Sequence, residues 1–380
     1  MSNTKSPSSL YKRQFDDISL LNISENQKTF LMNGIVYIDE IVSSLCPKGG
    51  SCGYELYGNL YNDKKYSIML RSPSRPYNDR RLGIVREDYT IYLKIDIFYD
   101  TDNDRPNIYL CLIQENGVML SGNRLIDIAK HFSHILNASI ISLDDESELT
   151  SLCKDSDFSL PILYILSGGI SWYNSKGFVS KLFNEEYQHN IRLLSLNIVD
   201  FLHFQLPYTF DILKDDGEEP DEDDMELIKI TYTKNIDDFF YFFEKYNKRY
   251  PFLDDTGLIL TKDMSVQEVF TRIKFFVFRK LPKKRTLILS TLCQHLDWLF
   301  RSINIKRIDE DDDEDDFHEL SSNYPNIILY SQSSDYHLDN PIIPRPINFI
   351  LKPQKNIVRR KTTSKSSSIA KKSTRKRITR

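Results

Sequence analysis

The segment YTIYLKIDIFYD (Tyr89–Asp100), followed by NIYLCLIQ (Asn107–Gln114), decides the fold class of this 380-residue chain. Apolar and polar residues alternate along both segments, as in half-buried strands, and turn-forming residues connect the two. The pattern therefore predicts a β-hairpin. The same alternation in YGNLYNDKKYSIMLRS (Tyr57–Ser72) predicts a second hairpin upstream.

Beyond the hairpin the hydrophobic period changes from two residues to about 3.6. GNRLIDIAKHFSHIL (Gly122–Leu136) predicts an amphipathic helix with Ser121 as its N-cap. ASIISLDD (Ala138–Asp145) predicts the next strand, and the segment at 178–204 is mostly helical in pattern. The apolar LPILYIL (Leu160–Leu166) fits either a strand or a buried helix. We therefore expect an alternating α and β region after the hairpin.

The second half of the chain is dominated by helical patterns and acidic runs. DDGEEPDEDDME (Asp215–Glu226) predicts a solvated linker, because it has too few apolar residues to form a core. Three amphipathic helices are expected between residues 236 and 303, and the second begins with the capping-box pair Ser265 and Glu268. A second acidic run, DEDDDEDD (Asp309–Asp316), separates these helices from a Pro-rich segment.

These patterns predict an α/β (α+β-like) fold with a mixed sheet, flanking helices and a small C-terminal helical domain. The N-terminal residues are polar and predict a loose segment with one short helix near Ser24–Met32. The expected segments are a flexible lead-in at 1–35, an α/β domain at 36–208, an acidic linker at 209–226, a helical domain at 227–305, an acidic and Pro-rich extended segment at 306–354, and a disordered basic tail at 355–380.

The formal net charge of −4 conceals a strong segregation of charge. From Asn340 onward there are thirteen Lys or Arg and no Asp or Glu, so residues 1–339 carry a net charge of −17. Five scattered cysteines and a polar N-terminus favour an intracellular protein without a disulfide framework. No apolar run reaches the roughly 18 residues that a membrane span needs.

The basic tail predicts binding to a polyanion, DNA or RNA, because its positive charges displace counterions without reading base sequence. Two clusters in the tail also have the form of nuclear-import signals. The alternative is association with the acidic runs of the same chain. The candidate nucleic-acid residues are Arg359, Arg360, Lys361, Lys371, Lys372, Arg375, Lys376 and Arg377.

Several common sites are excluded by their spacing. CPKGGSCG (Cys46–Gly53) has its glycines and lysine in the wrong order for a nucleotide P-loop. Ser171 lies in a segment that begins like a nucleophile elbow, but Tyr173 occupies the position where the second glycine must allow a sharp turn. The cysteine and histidine pairs have no second half at metal-binding spacing, so we expect no metal site.

The order of elements resembles the core of the GNAT N-acetyltransferase family. A strand ending at Gln114 is followed by a loop, a helix from about Gly122, a strand, and Tyr173-Asn-Ser-Lys-Gly-Phe178, which matches the family's Tyr-x-x-x-Gly-Phe element in spacing. Gln114-Glu-Asn-Gly117 is similar to the first half of the family's Q/R-x-x-G-x-G/A loop, and Met119 replaces its last small residue. The resemblance covers about residues 85–205.

This resemblance implies acetyl-CoA as cofactor, with its pyrophosphate held by backbone N–H groups at a helix start. It implies Tyr173 as the acid that protonates the departing thiolate, and an acidic residue near the strand end as the base for an amine. The alternatives are that Tyr173 belongs to an aromatic corner that only packs the sheet, and that a GNAT-like chain has lost acetyl transfer and is catalytically dead. The implied cofactor residues are Gln114, Gly117, Ser121, Gly122 and Asn123, and the implied bases are Asp144, Asp145 and Glu146.

Two other functional classes remain open. The first is a non-enzymatic structural or packaging protein that uses the basic tail on nucleic acid and the helical part on a protein partner. The second is a scaffold whose acidic runs bind a basic partner such as histones. In its richness in Ile, Asn, Lys, Tyr and Phe the chain also resembles proteins of large cytoplasmic-and-nuclear DNA viruses, which implies the host cytoplasm, the nucleus or the virion.

Overall fold

The structure, a computed structural model, describes residues 12–45, 54–73, 77–79, 84–86, 89–99, 105–113, 121–145, 148–149, 158–214, 222–249, 258–278, 286–309 and 311–339. All of them lie within one compact unit, Met1–Arg345. A second unit, Pro346–Arg380, lies outside the described residues. The described residues adopt a mixed α/β fold with a seven-stranded sheet and flanking helices, as the sequence predicts.

Thirteen strands occur in the described residues. They are β1 (Lys12–Phe15), β2 (Glu55–Asn62), β3 (Lys65–Pro73), β4 (Tyr77–Asp79), β5 (Ile84–Arg86), β6 (Tyr89–Phe98), β7 (Asn107–Ile113), β8 (Ile140–Asp144), β9 (Glu148–Leu149), β10 (Phe158–Ser159), β11 (Ile305–Ile308), β12 (Ile328–Ser331) and β13 (Ser333–His337). The main sheet has the order β1-β2-β3-β6-β7-β8-β13. Its β1–β2 and β7–β8 pairs are parallel and its other pairs antiparallel, which confirms both predicted hairpins.

Two helices begin at the caps that the sequence predicts. Ser121 accepts a hydrogen bond from the backbone N–H of Arg124, as predicted, and Ser265 forms the predicted capping box with Glu268. The helices of the described residues are α1 (Glu25–Leu45), α2 (Gly122–Ile135), α3 (Leu160–Gly168), α4 (Phe183–Leu194), α5 (Ile198–Lys214), α6 (Glu222–Arg249), α7 (Val266–Val277), α8 (Thr286–Arg301) and α9 (Glu314–Asn323).

A first hydrophobic core lies between α1, α2 and one face of the main sheet. The predicted apolar stripe of α2, from Leu125 to Leu136, is buried there. Gly34 allows α1 to approach α2 closely, because a Cβ at this position would lie 2.6 Å from ring carbon Cε2 of Phe132. The two helices therefore form one layer that packs on the sheet around a shared core.

A second hydrophobic core joins α3 to α4–α8 and to β12. LPILYIL is the helix α3, with Pro161 in its first turn and Leu163 and Leu166 fully buried in this core. The helices predicted between 236 and 303 are all present. Their core is shared with α3, α4 and α5, which begin before the boundary expected at residue 208.

Three expected segments differ from the structure. The lead-in at 1–35 contains β1 and the first half of α1, which continues to Leu45 because Leu31, Ile38 and Val42 pack on the sheet. The acidic linker at 209–226 begins and ends in helices, α5 and α6. The extended segment at 306–354 contains α9, β12 and β13, and β13 completes the main sheet beside β8.

Candidate functional site

A cleft of about 520 Å³ opens at the β13 edge of the main sheet. Its floor is the sheet face opposite α1 and α2, formed by β7, β8 and β13. Its walls are the segments at 179–182 and 308–312. Cavities of this size with several polar groups are the usual setting of ligand sites. The cleft is therefore the candidate functional site.

The floor of the cleft is centred on Asp144, at the end of β8. Its carboxylate accepts a hydrogen bond from the Tyr109 hydroxyl, at 2.6 Å, and another from the Ser333 hydroxyl. Alternation along the strands and the register of the sheet place all three side chains on one face, because Ser333 lies opposite Asp144. Three strands distant in sequence thus hold one exposed carboxylate in place.

Glu186 lies behind the wall of the cleft. This buried carboxylate accepts hydrogen bonds from the Ser180 hydroxyl and from the backbone N–H of Ser331, at 3.2 Å. Burial raises the pKa of Glu186, although both hydrogen bonds act in the opposite direction. One turn further along α4, Asn190 donates to the carbonyl of Leu329 and accepts from its N–H. Side chains of α4 therefore satisfy the free edge of β12 and fix that wall.

The cleft lining is strongly acidic. Four carboxylates, Asp144, Asp309, Asp312 and Asp335, line it together with one ammonium group, that of Lys181. Lys181 donates to the backbone carbonyl of Asp312, at 3.0 Å. Among the described residues, none of the four carboxylates forms an ion pair. The lining favours a positively charged ligand.

Tyr173 lies in a compact turn rather than in the cleft. Gly169 ends α3 with φ of 80°, and Gly177 ends the following 3₁₀ turn with φ of 91°, so two glycines supply the left-handed conformations that the chain needs here. Ser171 and Asn174 exchange hydrogen bonds between side chain and backbone across this turn. Tyr173 is buried, 8% exposed, with its ring against Phe178.

The structure separates two of the predicted catalytic residues. Asp144 points to the cleft face of the sheet, whereas Tyr173 packs into the core beneath α2. Asp145, one residue further and buried, lies near Tyr173 instead. Burial raises the pKa of Tyr173, and the charge of Asp145 raises it further, so the buried phenol is a weaker acid than a free tyrosine. Glu146 lies outside the described residues.

The predicted cofactor residues cluster at the start of α2, where the structure describes three of them. Ser121 is the N-cap, Gly122 is the first helical residue and is buried, and Asn123 is exposed in the first turn. Gln114 and Gly117 lie outside the described residues, as do all eight predicted nucleic-acid residues of the tail.

The strands on either side of α2 in the chain, β7 and β8, are parallel neighbours in the sheet. Parallel β7 and β8 pair only through Ile108 with Ile141 and Tyr109 with Ser142. β7 continues to Ile113 and β8 ends at Asp144. In open α/β sheets, the carboxyl ends of parallel strands form the crevice where ligands bind.

Metal, cysteine and membrane features add little to the site. No group of three or more His, Cys, Asp or Glu in the described residues is arranged to hold a metal ion. Cys111 is a half-buried free thiol whose pKa is raised by burial to about 11, whereas Cys293 is disulfide-bonded, a bond that the scattered cysteine spacing did not indicate. No helix in the described part is long and apolar enough to cross a membrane.

Sequence reasoning missed most of the cleft. Tyr109 appeared only as a strand residue, and Ser180 and Glu186 only as parts of an ambiguous helical segment. Ser333 and Asp335 lay in a segment predicted to be extended and outside the sheet. The alternation in SSDYH (333–337) was the only local signal for β13, and five residues are too few to separate a strand from a loop.

Comparisons with known proteins contribute no relative. No protein-family model matches the chain, no curated protein matches it, and no solved structure matches it.

Proposed function

We infer that the sheet and α2 form a GNAT-like site that binds acetyl-CoA and transfers its acetyl group to an amine. The observation that carries this proposal is the parallel pairing of β7 with β8 across the connecting helix α2, whose N-terminus follows β7 in the chain. A crevice between parallel strands accommodates an elongated ligand, and the first turn of a helix attracts its pyrophosphate. The order of elements agrees with the family resemblance of the sequence.

The roles of the acidic and phenolic groups follow from their surroundings. Tyr173, a phenol that is protonated at neutral pH, is the proposed donor of a proton to the CoA thiolate. Of the predicted bases in the described residues, Asp145 lies near Tyr173 and is the proposed acceptor of a proton from the amine, whereas Asp144 lies on the opposite face of the sheet. The burial of Tyr173 requires that its turn, closed by Gly169 and Gly177, opens toward the crevice when ligand binds.

The cofactor site is tested by calorimetric titration of acetyl-CoA into the full chain, because β1 and β13 complete the sheet and a fragment at 36–208 would lack both. Asn123→Asp adds a negative charge at the first turn of α2. It should weaken binding by at least about tenfold while leaving the helix as stable or more so. Asn184→Asp, in the first turn of α4, is the matched control and should bind acetyl-CoA normally.

Acetyl transfer is tested separately with Tyr173→Phe. This variant should retain cofactor binding and lose activity by roughly 100-fold or more, the usual contribution of a positioned acid. Tyr232→Phe removes a buried hydroxyl in the second core and should leave the activity unchanged. A wild-type chain that binds neither acetyl-CoA nor CoA would overturn the proposal.

A second candidate function rests on the charge of the C-terminal segment. Thirteen basic and no acidic residues after Asn340 favour salt-sensitive binding to DNA or RNA. Removal of residues 355–380 should abolish this binding and leave acetyl-CoA binding unchanged. Retained nucleic-acid binding after the truncation would assign it to another part of the chain.

A further inference from the structure

The outer face of α1 is apolar where it faces solvent. Met32 and Val36, one helical turn apart, are each 49% exposed, although the opposite side of the helix is buried against the sheet and α2. Leu20, in the 3₁₀ turn just before α1, is 63% exposed. Single exposed apolar residues are ordinary on a protein surface, but several that lie together mark an interaction site.

A groove of about 400 Å³ adjoins this face. It is lined by Phe15 of β1, Ile18 of the 3₁₀ turn, and Met32 and Ile35 of α1. β1 is the terminal strand of the main sheet. Protruding apolar residues and a recess therefore occur side by side at the β1 edge, which is the arrangement that two interlocking surfaces need.

Charges of opposite sign flank the apolar pair. Lys28 lies one turn before Met32, and Glu40 lies one turn after Val36. Lys28 forms an ion pair with Glu25 at 3.0 Å. Glu40 is exposed and forms no ion pair within the described residues. The face therefore carries a cation toward its start and an anion toward its end.

This order of charges is self-complementary. When two copies of α1 pack antiparallel about a two-fold axis at the level of Gly34, positions equally far before and after Gly34 face each other. Met32 then lies against Val36 of the second copy, and Lys28 lies against Glu40 of the second copy. An isologous interface requires such a surface, because one patch must supply both members of every contact.

The wider stripe of α1 agrees with helix pairing. Its exposed members follow the three-, four- and seven-residue spacings of packed helices, and they are Glu25, Thr29, Met32, Val36 and Ser43. In the antiparallel arrangement Glu25 lies opposite Ser43 of the second copy, so no like charges meet along the stripe.

We propose that the outer face of α1 and the adjoining groove bind a second copy of this chain in an isologous dimer. The two α1 helices pack antiparallel, Met32 and Val36 of each copy cover those of the other, and pairs of Lys28 with Glu40 close both ends. The interface involves no residue of the proposed cofactor site or of the cleft. The dimer and acetyl-CoA binding therefore succeed or fail separately.

Sedimentation velocity of the full chain at physiological salt measures the association. The unaltered chain should form dimers with a dissociation constant of roughly 1–100 μM, as expected for a small apolar interface. Met32→Lys with Val36→Lys should leave only monomer over this range. Leu227→Lys with Ile230→Lys, at positions of α6 that are 62% and 56% exposed, is the matched control and should dimerise normally.

Charge reversal tests the antiparallel register. Lys28→Glu and Glu40→Lys, made singly, each place like charges against each other at both ends of the dimer, so each should weaken self-association at least about tenfold. An equimolar mixture of the two variants should form a heterodimer with an affinity within about threefold of the unaltered chain, because every pair then joins an ammonium group to a carboxylate. Urea denaturation verifies that each variant is folded.

The proposal is overturned by any of three results. The first is an unaltered chain that stays monomeric at about 100 μM. The second is a dimer that survives Met32→Lys with Val36→Lys, which includes association of the basic tail with the acidic runs of another copy. The third is a pair of folded charge variants that associate no better when mixed than when alone.

Discussion

The two faces of the main sheet are built from the same strands but differ in almost every physical respect. The face under α1 and α2 carries aliphatic and aromatic residues, such as Ile68, Ile95 and Ile141, all at most 1% exposed. The opposite face carries ionised and hydroxylated residues joined in small groups. One such group is centred on Asp96, which accepts a hydrogen bond from Ser67 at 2.6 Å and forms an ion pair with Lys65 at 2.7 Å.

The comparison shows how one sheet divides its tasks. Burial of apolar area supplies the free energy of folding on the helix-covered face. Polar groups on the other face contribute little net stability, because they exchange bonds with water for bonds with each other. They do hold charged side chains in fixed positions beside a cleft, which is what a binding surface needs. Substitutions on the two faces should therefore have different kinds of effect.

The largest effect is expected for Phe132→Ala on the helix-covered face. Phe132 is fully buried and contacts the position of Gly34 on α1, so its removal leaves a cavity between two helices and the sheet. The free energy of unfolding should fall by about 3–5 kcal/mol, measured by urea denaturation. A loss below about 1 kcal/mol would mean that this face does not carry the stability.

The next effect is overpacking at Gly34. A Cβ there would lie 2.6 Å from both Leu136 and Phe132, so Gly34→Ala should lower the free energy of unfolding by about 1–3 kcal/mol despite the better helix propensity of alanine. Gly168→Ala is the control, because a Cβ at the end of α3 meets no atom within 4 Å. That variant should be neutral or slightly more stable.

The sequence predicts the helix-covered face far better than the polar one. The apolar stripe of α2 and the alternation of β6 are local periodicities that extend over ten or more residues. They can therefore be recognised without knowledge of the fold. The pairing of Ser333 with Asp144 joins residues 189 positions apart, and no local pattern specifies it. Acidic residues at the end of β8 were found as candidates because they end a strand. The surroundings of each one depend on β13, which pairs with β8 but lies far along the chain.

A smaller effect is expected for Tyr109→Phe on the polar face. The variant loses the hydrogen bond to Asp144, which is exposed, so the free energy of unfolding should fall by only about 0.5–1.5 kcal/mol. Tyr61→Phe, at an exposed position of β2, should leave the free energy of unfolding unchanged.

Acid should lower the stability that the polar face contributes through Asp96. Burial alone raises the pKa of Asp96, but hydrogen bonds from Lys65 and Ser67 outweigh burial and hold its pKa below the usual value. Its contribution to stability is therefore present above about pH 4 and is lost as the pH falls through the lowered pKa. Denaturation curves between pH 5 and pH 2, taken as a rough working range, should fall less steeply for Asp96→Asn. Equal steepness would assign acid sensitivity elsewhere.

Alkali should raise the stability that the helix-covered side contributes through Lys130 of α2. Its ammonium group donates to the carbonyl of Lys176 and lies 3.7 Å from the centre of the Tyr336 ring, and desolvation lowers its pKa to about 8. Between about pH 8 and pH 10 the unfolded chain therefore binds more protons at this lysine than the folded chain, so stability should rise with pH.

The contribution of Lys130 must be separated from that of a second lysine. Lys274, in the other core, also has its pKa lowered by burial to about 8 and contributes a rise of the same sign. Lys130→Met should therefore remove only part of the rise, and Lys130→Met with Lys274→Met should remove most of it. Urea denaturation at three pH values within this window measures the slope, and the variants are compared with the unaltered chain because Cys111 and the buried tyrosines, whose pKa values are raised, add a fall in stability that all of them share. A slope that both variants leave unchanged would mean that these ammonium groups are not desolvated, and that the helix-covered side tolerates charge as readily as the polar face does.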